Sequence, residues 1–82
     1  MITRPLPNVF PLTPSQSVWL LDQMEKFKAQ VMVVKGDNQV SLQSLLSIIS
    51  LNAKPPKGAL LAADGEDEDE AMETALRVLQ EL

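Results

Sequence analysis

Four of the six prolines fall within the first fourteen residues, at Pro5, Pro7, Pro11 and Pro14, and they restrict the start of the chain more sharply than any other feature restricts its own region. Proline has no backbone N–H to give to a ladder, so a strand that contains it lies at a sheet edge or is irregular. Ile2, Leu6 and Val9 supply the apolar positions of such a strand, and an edge strand of this kind leaves exchange between chains open. Pro14 has the opposite effect. In Thr13-Pro14-Ser15-Gln16, Thr13 is placed as an N-cap, Pro14 fits the first helical position, and Gln16 completes a capping box.

The helix that follows offers Val18, Leu20, Leu21, Met24 and Phe27 for burial and Asp22, Gln23, Glu25 and Lys26 for solvent, with Trp19 between the two faces. Ala29 to Lys35, with β-branched Val31, Val33 and Val34, reads as a strand. Gly36-Asp37-Asn38 turns it back into Gln39-Val40-Ser41-Leu42 as a hairpin. Ser44 then caps a short helix, Leu45 to Leu51. Its apolar residues Leu45, Leu46, Ile48, Ile49 and Leu51 cover more than one face, so some of them are expected outside.

Lys54-Pro55-Pro56-Lys57-Gly58 reads as a loop and Ala59 to Ala63 as a short apolar strand. The last helix starts near Asp67 with Glu70 as capping partner. Met72, Ala75, Leu76, Leu79 and Leu82 form its buried stripe. The element order is thus β-α-β-β-α-β-α, an α+β open-faced sandwich with one small antiparallel or mixed sheet and its long helices on one face. Residues 1–82 read as one domain, and no apolar stretch approaches the about 20 residues that span a bilayer.

The residues that are missing narrow the chemistry. There is no Cys and no His, which excludes thiol catalysis, thiolate metal sites, and the commonest general base and zinc ligand. Without an ordinary base to activate a hydroxyl, the chain is not expected to be an enzyme, and no cofactor or metal is called for. Net charge is −4, divided unevenly: six basic and three acidic side chains over residues 1–63, one basic and eight acidic over 64–82. The acidic run Asp64, Glu66, Asp67, Glu68, Asp69, Glu70 and Glu73 suits a helix N-terminus. Neither a basic stripe nor clustered aromatics speaks for nucleic acid.

Phe27-Lys28-Ala29 before the second strand, Val40-Ser41-Leu42-Gln43-Ser44-Leu45-Leu46 leading to Ser50-Leu51, and Gly65-Glu66-Asp67-Glu68 followed by Ala71, Leu76, Leu79 and Glu81-Leu82 carry a resemblance. In their order and spacing they resemble HPr, the small phosphocarrier of the bacterial phosphoenolpyruvate:sugar phosphotransferase system (PTS), and its regulatory paralogue Crh. Gly58 sits later than that family's loop glycine, with a small insertion around Pro55-Pro56. The resemblance implies the HPr-like open-faced fold with a four-stranded antiparallel sheet and helices on one face, a cytoplasmic location, and PTS-type protein partners: enzyme I, HPr kinase/phosphorylase, catabolite repressor or permease domains.

The N-terminal third departs from the pattern. The family opens its first helix with Gly-Leu-His-x-Arg-Pro-Ala, whose His accepts phosphate from enzyme I. Counting back from Phe27 puts that His on Thr13, with Leu12 retained before it, the Arg position on Ser15 and the Pro position on Gln16. A threonine ester cannot pass phosphate onward as a phosphoimidazole can, so carrier chemistry is expected to be absent. An anion site at the helix N-terminus, Ser15, Gln16 and Ser17, is the remnant such a site would leave.

Ser44 matches the serine that HPr kinase/phosphorylase modifies in relatives, although a plain N-cap serine is the structural alternative. Leu45, Leu46 and Ile49 match the family's docking patch and by that resemblance are expected outside rather than completing the core, as Ile48 and Leu51 are expected to do. The expected function is therefore a regulatory, Crh-like PTS protein signalling through Ser44 and this patch, as a monomer or weak dimer. The alternative is a docking module without either phosphorylation chemistry.

Overall fold

The computed structural model describes residues 1–82. Its elements follow the order expected from the sequence: β1 (Ile2–Pro5), α1 (Pro14–Met24), β2 (Gln30–Lys35), β3 (Asn38–Ser41), α2 (Leu45–Ala53), β4 (Leu60–Asp64) and α3 (Glu68–Gln80). The four strands form one sheet in the order β1-β4-β2-β3, and every neighbouring pair is antiparallel. β1 is an edge strand, where Pro5 can stand opposite Leu60 without breaking a two-sided ladder. No helix is long and apolar enough to cross a membrane.

Alternation along the strands divides the sheet. Val31, Val33, Leu61 and Ala63 belong to the core beneath the helices, with Leu20, Met24, Ile48, Leu51, Met72 and Leu79. Met32 and Ala62, paired across β2 and β4, alternate with them and lie outside that core, on the face the helices leave open. Leu20, Ile48, Leu61 and Leu79 have no exposed surface, and each such side chain contributes about 1.5–3 kcal/mol of burial. The buried stripe of α3 is Ala71, Met72, Ala75, Val78 and Leu79; Leu76 and Leu82, expected in it, are only partly buried, Leu82 lying past the end of the helix.

Two expectations for α1 are corrected. The helix ends at Met24, with Glu25 as C-cap, so Phe27 lies in the connection to β2, half-buried rather than on the helix. The inward row is Ser17, Leu20 and Met24, at i, i+3 and i+7. Val18, one position round the helix from that row, is 50% exposed.

The hairpin turn is Gly36-Asp37, because Lys35 pairs directly with Asn38. Gly36 has a φ of 60°, the left-handed value that a two-residue II′ turn needs at its first position. Past the β2–β3 pairing, the side chain of Gln43 continues the ladder. Its Oε1 accepts from Val31 N–H at 3.1 Å, while Nε2 donates to the carbonyls of Met24 at 3.0 Å and Ala29 at 2.9 Å. One amide thereby joins the end of α1, the start of β2 and the turn before α2.

Asp67 heads α3 but makes no side-chain cap there. Its carboxylate instead accepts from the backbone N–H groups of Lys28 at 3.0 Å and Ala29 at 2.7 Å, and Glu68 rather than Glu70 reaches back, to Gly65 N–H at 3.1 Å. The Lys28 N–H, foremost, and that of Ala29 hold the Asp67 carboxyl below its ordinary 3.8. A carboxylate with a lowered folded-state pKa stabilises the fold fully above the unfolded value, and that contribution is lost as pH falls through the folded one. Urea midpoints measured from about pH 6 to about pH 2.5 are therefore expected to fall more steeply for the wild type than for Asp67→Asn. Equal slopes would show that Asp67 carries no such linkage.

Candidate functional site

The candidate site is built where the start of α1 meets α2. At Thr13 the backbone is extended, with φ −67° and ψ 162°, and the capping box is complete. The Thr13 hydroxyl accepts from Gln16 N–H at 3.2 Å, and Thr13 N–H donates to Gln16 Oε1 at 2.9 Å. Ser17 N–H donates to the Thr13 carbonyl at 2.9 Å. Of Ser15, Gln16 and Ser17, only Ser15 thus keeps a backbone N–H without a protein acceptor.

Ser17 is the one buried polar residue, 3% exposed, and its hydroxyl is fully engaged. It donates to the Thr13 carbonyl at 2.9 Å and accepts from Asn52 Nδ2 at 2.8 Å. Asn52 Oδ1, in turn, accepts from Leu12 N–H at 2.7 Å. Asn52 therefore clamps the last turn of α2 to the first turn of α1, and the polar atoms inside the junction are all paired.

This clamp was not legible in the sequence. An asparagine near a helix end reads as an ordinary terminus residue, and nothing local marks a partner forty positions away. Asn52→Ala leaves Leu12 N–H without its acceptor and is expected to cost about 1–3 kcal/mol. The urea midpoint is expected to fall with an unchanged m-value; an unshifted midpoint would show that water replaces the clamp.

Around the clamp lies a shallow groove of about 390 Å³ whose apolar wall is Leu12, Val18, Leu45 and Ile49. Leu45 and Ile49 are 40% and 50% exposed, and Leu46, standing out beside them, is 79% exposed. Ile48 and Leu51 of the same helix are buried, as the sequence led one to expect. Val18, Leu12 and Pro14 also line the groove and were not among the docking residues read from sequence. Single exposed aliphatics are ordinary, but several side by side on one helix and its neighbour form a patch of the kind that meets protein partners.

Ser44 stands at the base of this patch as the N-cap of α2, half-buried. Ser47 N–H reaches its hydroxyl at 3.5 Å, the loose limit of a hydrogen bond.

An open-faced α+β sandwich carrying an apolar surface at the junction of its first two helices is the class of protein that emerges. Comparison with known proteins narrows it. The family model described as the PTS HPr component phosphorylation site matches residues 17–81, beginning just past the α1 N-cap. Among solved structures, HPr-C-His from Thermoanaerobacter tengcongensis is 25% identical and superposes with a TM-score of 0.73 over 96% of this chain and 89% of that one. Crh of Bacillus subtilis, the catabolite repression protein that forms a swapped dimer, is 24% identical with a TM-score of 0.73 over 99% of this chain and 95% of its own. HPr from Bacillus anthracis str. Ames, 19% identical, gives 0.75 over 94% of each chain. At those lower identities the likeness is one of fold. The comparison with curated proteins returns no match. The chain belongs to the HPr family of the phosphotransferase system.

Proposed function

We propose that this member of the HPr family is a regulatory protein of the phosphotransferase system that works by docking and by phosphorylation of Ser44, and that carries no phosphoryl group at the start of α1. The observation that bears most weight is the run of exposed Leu45, Leu46 and Ile49 directly behind Ser44. A partner that reads this surface meets the modifiable hydroxyl and the apolar anchors together. Phosphorylation would add charge at the N-terminus of α2, where the helix dipole favours it, without disturbing the hydrophobic contacts.

The loss of carrier chemistry is supported by residue types and by geometry. The chain has no His. Thr13, at the position where the family resemblance places the phosphorylated residue, spends its hydroxyl on the helix cap. With Gln16 and Ser17 N–H already bonded, the single free N–H at Ser15 makes a poor phosphate cradle compared with the several donors of a working helix-terminus site. The protein thus acts on other proteins rather than on a substrate of its own, in the cytoplasm, with HPr kinase/phosphorylase and a catabolite repressor as its expected partners; enzyme I and permease domains compete for the same surface.

The test is binding to a catabolite repressor before and after treatment with HPr kinase/phosphorylase and ATP. Binding is expected only after treatment and not at all with Ser44→Ala. Binding of equal strength by untreated protein and by Ser44→Ala would refute signalling through Ser44 and leave a docking module.

A further inference from the structure

The largest concavity of the molecule, about 500 Å³, is separate from the α1–α2 groove. It lies between the β2–β3 hairpin and the carboxyl end of α2. Val33, Val40 and Leu51 form its apolar floor, and Lys35, Ser50 and Lys54 stand around it. Both lysines and Ser50 are exposed.

Charge is what distinguishes this cleft. No Asp or Glu lines it, and neither lysine forms a salt bridge, since the ion pairs of the molecule involve only the terminal amine. Lys57 follows in the same loop, and Asp37 in the hairpin turn is the carboxylate nearest to Lys35 in sequence. Eight of the eleven acidic side chains fall in residues 64–82. They begin where Asp64 pairs with Gln30, at the far end of β2 from Lys35, about 16 Å away at strand rise. The cleft is therefore an unneutralised basic site on an acidic protein.

Its position relative to α2 gives it a use. Ser50 lies four residues after Leu46, on the same helical face, so the cleft continues the exposed α2 surface toward its carboxyl end. We infer that this cleft is the second half of the docking surface and receives an acidic segment of the partner protein, carboxylates on Lys35 and Lys54 and an aliphatic side chain on the floor. The inference rests on the docking reading of α2 given above and adds the chemistry of what docks.

The test uses the full chain, ¹⁵N-labelled, and the fluorescent peptide Glu-Asp-Leu-Glu-Asp, with its uncharged counterpart Gln-Asn-Leu-Gln-Asn. The acidic peptide is expected to bind, shifting the amide signals of Lys35, Gln39, Ser50 and Lys54, and to weaken several-fold as salt shortens the screening length from about 10 Å to about 3 Å. Lys35→Glu/Lys54→Glu is expected to lower its affinity at least tenfold, and Lys35→Ala/Lys54→Ala to do so less. Equal binding of the two peptides, indifference to the lysine changes, or inorganic phosphate matching the peptide in site and strength would each overturn the inference. Loss of repressor binding in Leu46→Asp alongside a peptide that fails to bind would leave the α2 docking reading standing and remove only this extension.

Discussion

Gly65→Ala is expected to destabilise the protein by about 3–5 kcal/mol, summing backbone strain and overpacking. Gly65 has a φ of 152°, and a Cβ placed there would stand 2.7 Å from the Cα and 3.1 Å from the Cβ of Ala29. Ala29 has no exposed surface and leads into β2, so it has nowhere to go without moving a central strand. The shift would also pull Ala29 N–H from Asp67, a bond of 2.7 Å. For a domain of this size each kcal/mol lowers Tm by about 4–8 °C, so a circular-dichroism melt is expected to fall by more than about 12 °C. Gly36→Ala, where a Cβ meets nothing within 4 Å but φ is also positive, is expected to lose less. A Gly65→Ala melt within a few degrees of wild type would mean that β2 and β4 can part at little cost.

Leu46→Asp is expected to reduce binding to an HPr-type partner by about 100-fold or more while leaving the fold intact. Leu46 is 79% exposed and supports no core contact that its loss would empty, so the Tm is expected to stay within a few degrees. An apolar anchor at the centre of an interface contributes about 2–4 kcal/mol, and a carboxylate in its place must be desolvated without a partner. Ile48→Asp makes the opposite pattern: Ile48 is wholly buried, and its replacement unfolds the protein rather than disarming it. Wild-type affinity in folded Leu46→Asp would move the interface away from α2.

The regular elements were legible because each is specified locally. The Thr13-Pro14-Ser15-Gln16 cap stands as read, and so do Ser44 as N-cap, the β1 edge position and Met72, Ala75 and Leu79 of the α3 stripe. That α2 exposes part of its apolar surface follows from a two-turn helix carrying more apolar residues than one face can hold, while the particular division into buried Ile48 and Leu51 and exposed Leu45, Leu46 and Ile49 came from the family resemblance. What escaped were polar side chains spent over long sequence distances. Gln43 joins three segments, Asn52 ties α2 to Leu12 and Ser17, and Asp67 leaves its own helix to hold Lys28 and Ala29. Each reads in sequence as a turn or cap residue, since its partners become neighbours only once the sheet has closed. Val18 was misplaced for a related reason. Ser17 is favoured inside once Asn52 satisfies its hydroxyl, and the helix turns accordingly.

The measurement that bears most directly on the account is intact mass after two parallel incubations of the full chain, one with HPr kinase/phosphorylase and ATP, the other with enzyme I and phosphoenolpyruvate. The account predicts a single added phosphoryl group in the first reaction, abolished by Ser44→Ala, and no addition in the second. Phosphoryl transfer from enzyme I would contradict it, because it would mean that a chain without histidine has kept the family's carrier chemistry.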